Sequence, residues 1–151
     1  MARLEPALLT PDEWRRALRA LALCCAGSDV LETPERLCEI NALLGAATAM
    51  HVRGVLRMRA DRLWALLDLG AWDTAVTAML AQGTGYLVSR SGDGASLATI
   101  TLPGSARESS ASGASPALAL IGALACAVAS TRAEAHTEGL APRGAAYSPF
   151  H

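Results

Sequence analysis

Hydrophobic positions in this chain recur first at helical spacing and later in alternation. Trp14, Leu18, Leu21 and Cys25 share one side of a helix whose start is marked at Thr10. Thr10 can cap it, Pro11 fits the first turn, and Glu13 stands at the capping-box position. Gly27 stops it, and Gly27, Ser28 and Asp29 make a turn. Thr33, Pro34 and Glu35 repeat the cap-then-proline signal. A second helix follows, with Leu37, Ile40, Leu44 and Ala47 as its stripe and an end near Met50. Residues 51–60 fit two periods. Val52, Val55 and Leu56 match a helix, while Arg53, Arg57 and Arg59 against Val52, Leu56 and Met58 match a strand. Helix is preferred, because residues 62–69 read as helix and no turn intervenes. Gly70 ends that segment. A shorter helix begins at Trp72 and Asp73, directs Val76, Met79 and Leu80 inward, and closes at Gly83.

The pattern then changes to period two. Residues 86–90 form a short strand, and Ser91, Gly92, Asp93 and Gly94 form a turn. Across residues 96–102, Leu97, Thr99 and Thr101 alternate with Ala98, Ile100 and Leu102, which is a strand period. Pro103 and Gly104 end it. Residues 105–113 read as a polar loop. Ser115 and Pro116 open a last helix, through Leu118, Leu120, Ile121, Leu124 and Val128 to about Ala135. It carries no charge between Pro116 and Ser130, and a helix apolar all round must be covered on more than one side.

These elements predict an α+β fold, with N-terminal helices followed by a helix–β-hairpin–helix unit and a small antiparallel sheet packed on helices. The expected division is a helical region over 1–70, the helix–hairpin–helix unit over 71–136, and a flexible tail over 137–151, or one compact domain overall. The length of 151 residues suits a single domain, and 52% apolar residues suffice for a core. Aromatics make up only 4%, so the core must be built from Leu, Val and Ala.

All thirteen basic residues are arginine, and the net charge of −1 argues against a dedicated nucleic-acid binder, which needs a basic footprint. The N-terminus lacks the pattern of a signal peptide. The longest uncharged apolar run, 116–129, is shorter than the about 20 residues that span a bilayer. The four cysteines, Cys24, Cys25, Cys38 and Cys126, show no Cys-x-x-Cys spacing and read as reduced small hydrophobes. A cytoplasmic protein with no membrane contact is expected.

No reactive constellation emerges. His51, His136 and His151 are scattered, without the spacing of a zinc site. The cysteines have no activating base. The serines near Ser110 lie outside a nucleophile elbow, and the Gly92–Gly94 turn lacks the strand–loop–helix setting of a phosphate loop. Carboxylates stand at helix starts and turns, where the helix dipole and turn geometry account for them. The expectation is therefore no enzyme, no catalytic residue, no cofactor and no metal. The arginine cluster Arg53, Arg57, Arg59 and Arg62 is the candidate partner-binding patch, with Arg53 and Arg57 on one helix face. Leu118, Ile121, Leu124 and Val128 are the candidate self-association face.

Three short motifs carry a resemblance. They are Gly92-Asp93-Gly94, then Ile100-Thr101-Leu102-Pro103-Gly104, then Ala-Ser-Pro-Ala-Leu-Ala-Leu from Ala114 to Leu120. Together they resemble small phage and prophage proteins of the phage ABA-sandwich type, in which a hairpin precedes an Ala-Ser/Thr-Pro-Ala-Leu-Ala-Leu helix. The likeness covers residues 72–128. It implies a phage-associated origin and a sheet held between helices, and it brings no activity or site residue with it. The topology is similar to the double-stranded-RNA-binding and HicB-antitoxin folds. RNA-binding members place lysines at the start of the last helix, where this chain has Ser115, Pro116 and Ala117.

The expected function is that of a non-catalytic phage or prophage accessory protein that binds another protein, from phage or host, and forms a homo-oligomer. Inhibition of a host defence system, in the manner of an anti-CRISPR protein, is the alternative. Nucleic-acid binding through the arginine patch is the less favoured one.

Overall fold

Thr10 and Glu13 exchange hydrogen bonds, the Glu13 N–H to Thr10 Oγ1 at 3.2 Å and the Thr10 N–H to Glu13 Oε2 at 2.9 Å. This capping box starts helix α1, Pro11–Gly27, in the computed structural model. The structure describes residues 9–46 and 52–139, with side chains through 131. Trp14, Leu18, Leu21 and Cys25 are the buried residues of α1, as their spacing requires. A second capping box, between Asp29 and Glu32, starts a 3-10 turn, Val30–Glu32, that leads directly into α2, Thr33–Gly45. Thr33 therefore does not cap. It is the first residue of α2, it is buried, and its hydroxyl donates back to the Val30 carbonyl at 2.5 Å.

Residues 52–59 are not helical. Gly54 has φ +89°, outside the helical region, and a Cβ there would strike Pro103 and the Thr84 hydroxyl. The segment runs extended beside the chain at Leu80, in an isolated antiparallel bridge between Val55 and Leu80. The Leu56 N–H donates to the Met79 carbonyl, and the Ala81 N–H to the Gly54 carbonyl, both at 2.8 Å. Helix resumes as α3, Ala60–Asp68, and α4, Trp72–Ala78. Val76 and Met79 are buried, and Leu80 is half-buried.

The sheet has three strands in the order β1-β2-β3, all antiparallel: β1 Gly85–Arg90, β2 Ser96–Thr101 and β3 Ser109–Gly113. The third strand replaces most of the expected polar loop. Its residues, Ser, Ser, Ala, Ser and Gly, have weak strand preference, so it is held by its neighbours rather than by propensity. Small size is what this place demands. A Cβ on Gly113 would lie 2.8 Å from the Ala119 backbone nitrogen, so the last helix passes directly over the strand. Val88, Ala98 and Ala111 form one cross-strand row, and Leu87, Thr99 and Ser110 form the next. Ser96, Ala98 and Ile100 of β2 are buried, so the first of these rows faces inward.

Helix α5, Pro116–Gly139, is the axis of the molecule. The Ser115 hydroxyl accepts the Leu118 N–H at 3.3 Å at its start. The helix continues past Ala135, so residues 137–139 are helical rather than tail. The rest of the tail expected over 137–151, and the expected extension of α2 to Met50, lie outside the described residues. The sheet covers one side of α5 and α1 another. Gly122 permits close approach on both sides, where an added Cβ would lie 3.0 Å from the Ala111 Cβ and 3.6 Å from the Cys25 Cβ. One cluster of buried side chains extends from Trp14 to Ala129 and includes residues of α1, α2, α3, α4, β2 and α5. The fold is α+β, with the N-terminal helices packed on the same helix that backs the sheet.

Candidate functional site

The four arginines singled out from sequence are exposed but do not share a helix face. Arg53 lies in the turn at Gly54. The Arg57 side chain folds back over Gly45, where a Cβ would lie 2.6 Å from its Nε. That position puts a cation at the C-terminal end of α2, where the helix dipole favours it. Arg59 precedes α3 and pairs with Asp61 at 3.3 Å. Arg62 stands in the first turn of α3. The expected common face of Arg53 and Arg57 is thus corrected: a helical spacing of four acts only on a helix, and this segment is extended.

Leu118, Ile121, Leu124 and Val128 are each 0% exposed. They are enclosed by the chain itself, so a second copy cannot reach them while the fold stands. The expectation that they carry self-association is corrected accordingly. The apolar surplus of α5 is consumed internally, by the sheet on one side and α1 on the other.

Among the described residues, apolar surface is open elsewhere. A groove of about 400 Å³ lies between α1 and α2. Ala17, Ala20, Leu21 and Cys24 form one wall, Ala42, Leu43 and Ala46 the other, and Leu9 also lines it. Its charged residue, Glu39, is held by Arg36, whose Nη1 donates to Oε1 at 2.5 Å. Arg36 also pairs with Glu32 at 3.4 Å and Glu35 at 3.5 Å. The groove is kept open by the way the helices are tied. The Trp14 Nε1–H donates to the Leu43 carbonyl at 2.7 Å, which anchors α1 to the C-terminal part of α2. The alanines then leave space between the helices. Leu23 follows Ala20 by one helical turn and is 77% exposed, and Leu31 is 81% exposed.

Sequence reasoning missed this surface. The available signal was the second stripe on α1, Ala17, Ala20 and Cys24 at i, i+3 and i+7. Alanine is a weak marker of a face, because it is tolerated both in cores and in solvent.

Three of the four thiols are shifted away from reactivity by burial. Burial pushes Cys25 up to about 12 and also raises Cys38 and Cys126. A raised pKa keeps a thiol protonated and unreactive. Cys24 is exposed. Among the described residues, no three His, Cys, Asp or Glu side chains gather as metal ligands. Among the same residues, no helix is long and apolar enough to cross a membrane. No protein-family model matches the chain, and no curated protein or solved structure matches it either.

Proposed function

We propose that this chain is a non-catalytic phage or prophage accessory protein that acts by binding another protein, and that the α1–α2 groove receives the partner. The observation that carries the binding role is the groove itself: about 400 Å³ of apolar space whose one lining carboxylate, Glu39, is held in an ion pair with Arg36. Such a groove suits the apolar face of a partner helix or a few large apolar side chains. The phage assignment rests on the three motifs of the hairpin and last helix. The net charge of −1 and the dispersal of Arg53, Arg57, Arg59 and Arg62 favour a protein over a nucleic acid as partner.

The test is a photo-reactive amino acid placed at Ala20 in the full chain, activated in the bacterial host during phage growth. The expected result is an adduct with one other protein, identified by mass spectrometry and lost when Ala42→Arg fills the groove. Adducts only within the chain, or none, overturn the proposal. If the captured protein belongs to a host defence system, a phage-protection assay with the Ala42→Arg variant separates the inhibitor role from an ordinary accessory role.

A further inference from the structure

We infer that the open edge of β1 pairs with the same edge of a second copy, joining the two sheets antiparallel about a two-fold axis. This surface is distinct from the groove and does not rest on it.

Strand β1 stands at the edge of the sheet. Natural edge strands are usually protected by shortness, proline, a bulge or charge. Strand β1 has six residues in unbroken register with β2, from Gly85↔Thr101 to Arg90↔Ser96. Its first five residues, Gly, Tyr, Leu, Val and Ser, are uncharged and contain no proline. Apolar side chains stand out on both faces, with Tyr86 at 52% and Leu87 at 69% exposed. The opposite edge is different. Strand β3 is a Ser/Ala/Gly strand lying tight under α5.

The hydrogen-bond phase of β1 follows from its turn. The Ser91 N–H donates to the Ala95 carbonyl at 2.9 Å. An antiparallel ladder alternates bonded and non-bonded pairs. Ser89, Leu87 and Gly85 therefore bond to β2, and the N–H and C=O groups of Arg90, Val88 and Tyr86 point away from it. Among the described residues, no backbone group outside the sheet meets them.

That edge is complementary to itself. When Val88 is placed opposite Val88 of the second copy, the outward groups of both strands fall in bonded pairs. The two inner faces remain on one side and the two outer faces on the other. Tyr86 then stands opposite Arg90 of the second copy, and the reverse pair repeats by symmetry. The charge of β1 thus meets an aromatic ring rather than its like. On the outer face Leu87 and its symmetry mate lie on a diagonal, where cross-strand contacts still form. A two-fold pairing needs no second surface on the molecule, which is why the occupant is a copy of this chain.

The test measures the mass of the full chain in solution by sedimentation across micromolar concentrations. The expected result is a concentration-dependent doubling of mass. Tyr86→Arg sets arginine against arginine and returns the mass to a single chain, while Tyr86→Glu, facing the same arginine, keeps the dimer. Val88→Glu also gives a single chain, and mixing it with Val88→Lys restores the doubled mass, because only a self-paired position can be rescued by its opposite charge. Tyr86 is half exposed, so its variants keep the experiment decisive if the Val88 variants fail to fold. A wild-type chain that stays single, as when another segment covers the edge, overturns the inference. So does a doubled mass that Tyr86→Arg leaves unchanged.

Discussion

The Asn41 side chain clamps the backbone of Met58 with two hydrogen bonds. Its Nδ2 donates to the Met58 carbonyl at 3.0 Å, and its Oδ1 accepts the Met58 N–H at 2.8 Å. An amide placed this way imitates the edge of a neighbouring strand. It joins α2 to the extended segment before α3, at a buried point where water cannot substitute.

Removing the clamp strands both Met58 groups. Asn41→Ala is expected to destabilise the fold by about 1–3 kcal/mol for each unsatisfied group. Asn41→Asp keeps the acceptor but sets a carboxylate against the Met58 carbonyl, and should be no better tolerated. Urea unfolding followed by circular dichroism measures both. Midpoints equal to the parent chain would show that the segment is held by other contacts.

Leu124 separates the core role of α5 from the surface role its sequence invites. It is fully buried, and Leu124→Ala is expected to cost about 2–5 kcal/mol through lost transfer energy and a residual cavity. The same variant should leave the mass in solution unchanged at temperatures where it stays folded. A loss of association without a loss of stability would place Leu124 on a surface and contradict the structure.

The Cys25 thiol gives a pH dependence with a definite sign. Burial raises it from 9.0 to about 12. In the unfolded chain the thiol loses its proton as pH passes its ordinary value, while in the folded chain it keeps it. Between those two values the folded state binds more protons, so stability falls as pH rises. It is fully present below the ordinary value. Cys38 and Cys126 are raised by burial too and act in the same direction. Urea midpoints measured from neutral into alkaline buffer should slope downward, and Cys25→Ala should flatten that slope. Equal slopes for the two chains would refute a buried protonated thiol at this position.

Legibility in the sequence followed the strength of the local signal. Helix α1 was visible because its caps, its proline and its Trp14–Leu18–Leu21–Cys25 stripe agree with one another. Strands β1 and β2 were visible from their alternation and from the Gly92–Gly94 turn. Strand β3 was not, because Ser109, Ser110, Ala111, Ser112 and Gly113 carry no strand preference. Residues 52–59 were misread as helix, because their arginines and apolar residues suit either period. Gly54 was the overlooked signal, since its left-handed φ is incompatible with continuing a helix.

The candidate surfaces divide in the same way. The residues of α5 were recognised as needing cover, yet whether that cover was the chain itself or a second copy could not be read from periodicity. The groove escaped notice because alanine marks no face, and it exists only where two helices are held apart by particular contacts such as Trp14 to Leu43.

By itself the sequence determined where α1 starts and stops, where α5 starts, where the hairpin turns, and that the last helix must be covered. Those features depend on interactions between residues a few positions apart. The tertiary structure alone decided which neighbours cover α5, that a serine-rich segment becomes a strand beneath it, that residues 52–59 turn at Gly54 and then run beside Leu80 instead of forming a helix, and which apolar surface stays open among the described residues. These depend on the close approach of residues distant in the chain, as at Gly113 beneath Ala119 and Asn41 against Met58, and local preference is too weak to specify them.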